Sequence, residues 1–159
     1  MTQSTNAQIC FGILLDDDNE FPWLDEQWND DIDGWWLYQQ GYEPIKQCYD
    51  ENGEKIKGIS EQDVEYFWGE RRSFLNNNPM PVEIVQHCSC DYPMYILAIK
   101  GTFQDAGRGY PLSFKPEELI LPEQFDGEND ANYFLKYWAD KWGLTYTGQA
   151  SWYLSSLWC

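Results

Sequence analysis

Before Lys46 the chain contains no lysine and no arginine. A secretory signal or transit peptide needs a basic stretch near its start, so neither is expected and the chain is read as cytoplasmic. No apolar run is long enough to span a bilayer. The longest, 92–99 (YPMYILAI), is strand-sized, so no membrane partner is expected. Basic residues are scarce throughout: 10 Lys and Arg stand against 27 Asp and Glu, a net charge of −17. A field of that sign repels phosphate backbones and anionic lipid, which argues against direct nucleic-acid binding and for a basic partner.

Chemistry-bearing residues are few as well. The chain has one histidine, His87, followed directly by Cys88. On a strand the two point to opposite faces and cannot form a local Cys-His catalytic pair. Cys88 and Cys90 with His87 make at most a partial metal set, because a second pair at zinc-like spacing is missing. The five cysteines (Cys10, Cys48, Cys88, Cys90, Cys159) are odd in number, and in a chain without an export signal they read as reduced thiols without disulfides. The segments 16–20 (DDDNE) and 126–130 (DGEND) cluster carboxylates without calcium-loop spacing and read as solvated loops. Gly107-Arg108-Gly109 lacks the length and helix start of a phosphate loop and reads as a turn. No catalytic residue, metal ligand or cofactor is expected.

What the chain has in abundance is rings: nine Trp, eleven Tyr and eight Phe, far more than a disordered acidic tail would carry. A folded single domain over 1–159 is expected, with an acidic, aromatic loop and short-helix region at 16–41. Strands are expected at 8–15 (QICFGILL), 82–88, 92–100, 110–114, 144–147 and 150–158. Asn52-Gly53 signals a tight hairpin within 46–58. Helices are expected at 31–41 with Gly41 as the stop, from Ser60 to Pro79 behind a Ser60–Asp63 capping box, and at 130–142 before Gly143; Asp130 suits a cap. Pro116 to Leu119 reads as a single turn. The second helix carries Val64, Phe67, Trp68, Phe74 and Leu75 in its apolar stripe, with Arg71 in the gap, so Arg71 should form a buried or half-buried ion pair. The last helix reads with Phe134, Tyr137, Trp138, Lys141 and Trp142 along one face. Strands and helices do not alternate, which predicts an α+β fold: a mainly antiparallel sheet of about five to seven strands with two or three helices packed on it.

The acidity has a local focus. Asp16, Asp17, Asp18, Glu20, Asp25, Glu26, Asp30, Asp31, Asp33 and Glu43 all precede Lys46, interleaved with Phe21, Trp23, Trp28, Trp35 and Trp36. Rings of this kind can pin an acidic loop to a core and give its charges a fixed pattern. Such a pattern can complement a basic groove and compete with nucleic acid for it, the logic of a DNA mimic. Asp16, Asp17, Asp18, Glu20, Trp23, Asp25, Glu26, Trp28, Asp30, Asp31 and Asp33 are therefore the expected partner-binding residues. The simpler reading of the same charges is a solvated face.

DYPMYILA at 91–98, GRGYP at 107–111 and SWYLSSLW at 151–158, with FPW at 21–23 and DIDGWW at 31–36, resemble a family of small acidic proteins carried by bacteriophages and prophages. The resemblance spans most of the chain, contains no catalytic signature and brings no settled activity. It implies a context: small acidic phage proteins act by blocking a host nucleic-acid enzyme or defence complex, so anti-CRISPR or anti-restriction action in the host cytoplasm is the leading expectation. Two other classes are a metal-dependent hydrolase of nucleotides or nucleic acid using clustered carboxylates, and a structural or assembly component of a virion.

Overall fold

The computed structural model describes every residue except 1–4, 26, 27, 29, 45, 46, 51, 52, 108, 114 and 159. The protein is α+β, and its strands form one five-stranded mixed sheet. The chain divides into two compact units: a sheet unit, Met1–Phe21 with Pro81–Cys159, and an inserted unit, Pro22–Met80.

In the sheet unit, β1 (Thr5–Leu15) is the central strand. Its residues from Gln8 to Ile13 are all buried, which is why the segment reads as a continuous apolar run rather than an alternating one. Strands β2 (Val82–Ser89) and β3 (Pro93–Ile99) form an antiparallel hairpin, β4 (Gln104–Ala106) pairs with the start of β1, and β5 (Tyr146–Trp158) runs antiparallel along nearly all of β1. Two further pairings close a circuit. β3 joins β1 at Gly12–Leu14, and the end of β2 joins the end of β5 in parallel at Cys88–Leu157 and Ser89–Trp158. The ladder runs β1, β3, β2, β5 and back to β1, a closure that leaves those strands little unpaired edge. Cys10, Val85, Ile96 and Ala98 form a buried cluster with Leu14, Phe103 and Tyr153 packed against it. Gly12 makes the β1–β3 contact possible, since a Cβ there would sit 2.5 Å from both Ile96 Cγ2 and the Leu97 carbonyl oxygen.

Helix α3 (Glu128–Trp142) packs on β1, β3 and β5. Gly143 ends it in the left-handed conformation, the backbone region open to glycine. The register of β1 against β5 slips between Gly12 and Leu14, and there the Ala150 amide donates to Asn132 Oδ1 of α3 at 2.9 Å. The helix therefore satisfies a donor that the bulge takes out of the ladder.

The inserted unit holds α1 (Ile32–Gln39) and α2 (Glu61–Asn77). The capping box of α2 forms as the sequence predicts: Asp63 N donates to Ser60 Oγ at 3.1 Å, and Ser60 N donates to Asp63 Oδ2 at 3.2 Å. Arg71 makes its ion pair with Asp31 at 2.8 Å. Gly41, with φ +72°, follows α1 in the expected stop position.

At 46–58 the tight hairpin turn forms as expected: Tyr49 pairs antiparallel with Lys55, the Asp50 amide donates to the Glu54 carbonyl at 2.9 Å, and the Ile56 amide donates to the Cys48 carbonyl at 3.0 Å; Asn52 lies outside the described residues. Other expectations need correction. No strand occurs at 110–113. The free edge of β1 is taken instead by Gln104–Ala106, and Pro111 has no amide to donate; Arg108 and Phe114 lie outside the described residues. Trp68 is 46% exposed rather than core. Asp130 is not the N-cap residue of α3; Gly127 holds that position without a side-chain bond, and the Asp130 carboxylate accepts from the Asp126 amide at 3.3 Å. Finally, Cys90 is disulfide-bonded, which overturns the expectation of reduced thiols throughout. Cys10, Cys48 and Cys88 are free, and Cys159 lies outside the described residues.

Candidate functional site

The acidic residues expected to bind a partner fall in both units, and each unit treats them differently. In the sheet unit the chain leaves β1 into residues 16–20, and Asn19 fastens this loop. Its side-chain amide donates to the Asp16 and Thr145 carbonyl oxygens, both at 2.8 Å, while its Oδ1 accepts from the Thr145 amide at 2.7 Å. Asp16 is half-buried, and its Oδ1 accepts from Thr147 Oγ1 at 2.7 Å. Phe21 is buried at the far end, edge-on to Tyr95 at 4.8 Å. Between these fixed points Asp17, Asp18 and Glu20 are exposed. Three carboxylates thus project from a loop whose backbone is tied at both ends, so little ordering entropy remains to be lost on binding.

In the inserted unit the same residue types mostly build local structure. Trp23 is only 5% exposed and packs against Trp35, the ring centroids 5.2 Å apart and the planes tilted by 59°. Asp25 Oδ1 accepts from the Trp28 amide at 3.0 Å, and the half-buried Trp28 ring lies 5.2 Å from Tyr38. Asp30 takes a positive φ of 67°, and its amide donates to the Trp23 carbonyl at 3.0 Å. Aspartate tolerates that conformation better than most residues. Asp31 caps α1 by accepting from the Gly34 amide at 2.8 Å and holds Arg71. Asp30 and Asp33 are exposed. Glu26 lies outside the described residues.

Of the face expected for α3, only Trp142 is buried. The other buried side chains are Ala131, Leu135 and Ala139, and the two alanines let the helix approach the strands closely. Phe134 and Trp138 are half-buried on the flank, Tyr137 is 50% exposed and Tyr133 74%. The rings satisfy one another instead of the core: Phe134 meets Phe125 at 5.0 Å, Trp138 meets Tyr137 at 5.4 Å, and Lys141 Nζ lies 4.4 Å above the Trp138 ring. The Ala131, Leu135, Ala139 spacing of four was the available signal, masked by the larger rings beside it.

His87 is half-buried in β2, its Nε2 without a hydrogen-bond partner among the described residues. Burial holds its pKa below the usual histidine range, with the Asp17 charge pulling upward. An unfolded chain takes up a proton near pH 6.5 that the folded chain refuses, so the stability contributed by neutral His87 is present above that pH and lost as pH falls through the folded value. His87→Phe is therefore expected to flatten the fall in Tm between about pH 7.5 and 5.5. Equal slopes in the two proteins would contradict this. Burial, with a smaller contribution from Glu83, pushes the Cys10 thiol up to about 12, so it is not an activated nucleophile.

Among the described residues no three His, Cys, Asp or Glu side chains converge to hold a metal ion. No described helix is long and apolar enough to cross a membrane. No family model, curated protein or solved structure matches the chain.

Proposed function

We propose that this protein works by binding: the exposed carboxylates of Asp17, Asp18 and Glu20 dock onto a positively charged partner. In the phage setting that its aromatic motifs resemble, that partner is a host nucleic-acid-handling or defence complex, and occupation of its basic groove inhibits it. The observation that carries this reading is the fastening of the 16–20 loop by Asn19 and Asp16. A merely solubilising run of charges needs no such ties, whereas a recognition surface gains from fixed spacing between charges. Asp30 and Asp33 add exposed negative charge in the inserted unit. Trp23 and Trp28 serve as anchors of its fold rather than as contacts.

Affinity capture from a host lysate, repeated with Asp17→Lys/Asp18→Lys/Glu20→Lys, tests the proposal. The expected result is a basic partner held at low salt by the natural protein, lost with the triple variant, and displaced by added duplex DNA. A partner retained equally by both proteins would overturn it. Asp16 is left unchanged because its carboxylate holds Thr147.

A further inference from the structure

We propose that the inserted unit carries a binding site for an organic cation, an alkylammonium or guanidinium group, in the hollow between the end of α1 and the outer side of α2. This site is separate in residues and in ligand contact from the acidic loop and stands whether or not that loop binds a partner. The hollow measures about 690 Å³, a size suited to a small ligand. Its walls are the rings of Tyr42, Phe74 and Tyr66 and the carboxylates of Glu43 and Glu70, with Gly69 between them.

Tyr42 and Phe74 stand 4.9 Å apart at 54° to one another. At that distance the two rings touch each other, so a cation in the hollow is met from one side by the ring surface lining it, whose quadrupole attracts positive charge. Two carboxylates at the same opening disfavour an anion and complement a cation. Arg71 is paired with Asp31 and lines a neighbouring hollow. The Tyr42 hydroxyl is buried, and burial followed by the Glu70 charge raises its pKa, so the phenol stays neutral and adds no charge of its own.

Gly69 lies within α2, where glycine costs stability relative to alanine. Its φ is not among the positive values in the chain, and an added Cβ would meet nothing within 4 Å. Neither backbone geometry nor packing calls for glycine here. What its missing side chain provides is room in the hollow, the kind of stability loss that a binding site accounts for.

The test is a titration followed by ring resonances of Tyr42 and Phe74 at about 0.15 M salt, where diffuse attraction to an acidic protein is screened. The probes are spermidine, which stands for a free polyamine, and Nα-acetyl-lysine methylamide, which stands for a side chain presented by a protein; n-butanol is the neutral control. Saturable shifts with either cation and none with n-butanol are expected, and the tighter of the two cations identifies the source. Gly69→Leu, which fills the hollow and improves helix propensity, is expected to weaken binding at least about tenfold while raising Tm. Glu43→Gln/Glu70→Gln is expected to weaken it similarly, and Asp17→Asn/Asp18→Asn to leave it unchanged. Absence of saturable binding, equal binding of n-butanol, or binding that survives Gly69→Leu would overturn the proposal.

Discussion

Gly12→Ala is expected to destabilise the sheet unit by about 3 kcal/mol, lowering Tm by about 10 °C. The residue looks permissive in sequence, a glycine inside QICFGILL with small and large apolar neighbours. In the fold its missing side chain is where β1 meets β3. A methyl group would lie 2.5 Å from Ile96 Cγ2 and from the Leu97 carbonyl oxygen, with Ala98 Cα at 3.1 Å. Ile96 is 1% exposed and Leu97 and Ala98 are fully buried, so the side chain has nowhere to swing. The carbonyl belongs to a strand paired on both edges, with β1 and with β2. Relief requires opening the β1–β3 pairing, which is one of the links closing the circuit. Chemical denaturation of the two proteins measures the loss; a difference below about 1 kcal/mol would show that β3 can give way.

Asp31→Ala is expected to cost about 3 kcal/mol, confined to the inserted unit. Two contributions are lost together. The carboxylate accepts from the Gly34 amide as the cap of α1, worth about 1 kcal/mol. It also accepts from Arg71 Nη2 at 2.8 and 3.0 Å, and hydrogen bonds between charged groups contribute about 1.5–3 kcal/mol. Asp31 is itself half exposed, which places the pair toward the low end of that range. The Arg71 side chain is only 18% exposed and lies against the Trp68 ring, so it cannot recover full hydration once its partner is gone. Gly34 belongs to the same device, since a Cβ there would collide with the Asp31 carboxylate. Asp31→Asn keeps an acceptor for the cap and removes the charge, so its loss should be the smaller of the two. Hydrogen exchange of the α1 amides locates the effect. Protection that is unchanged in Asp31→Ala would mean that α1 is held by its buried tryptophans alone.

The sequence was readable where the determinants were local. The Ser60–Asp63 box, Gly41 and Gly143 mark helix ends through chemistry within a few residues, and the run before Asp16 announces a buried strand because both of its faces are covered. Arg71 could be assigned an ion pair from the gap it occupies in its stripe, but its partner 40 residues away could not be named. What stayed hidden was long-range or competitive. The parallel junction of Ser89 with Trp158 depends on how β5 and β2 end in space, and nothing near either residue encodes it. Tyr110 has the composition of a strand, yet Gln104–Ala106 captures the edge of β1 first. In α3 the large rings dominated the pattern, while the contact with the strands is made through Ala131 and Ala139, whose value is their small size. The acidic segment was legible as a charge pattern; which carboxylates are presented and which are spent on caps and ties was not. Asp16, Asp25 and Asp31 are spent locally, and Asp17, Asp18 and Glu20 are presented.

Recognition of a basic partner by those three carboxylates is decided by the Kd of the captured partner for the natural protein and for Asp17→Lys/Asp18→Lys/Glu20→Lys at two salt concentrations. The Kd of the natural protein is expected to weaken steeply with salt, and the triple variant to lose at least about 100-fold at low salt. Equal affinity of the two proteins, with no dependence on salt, would contradict it.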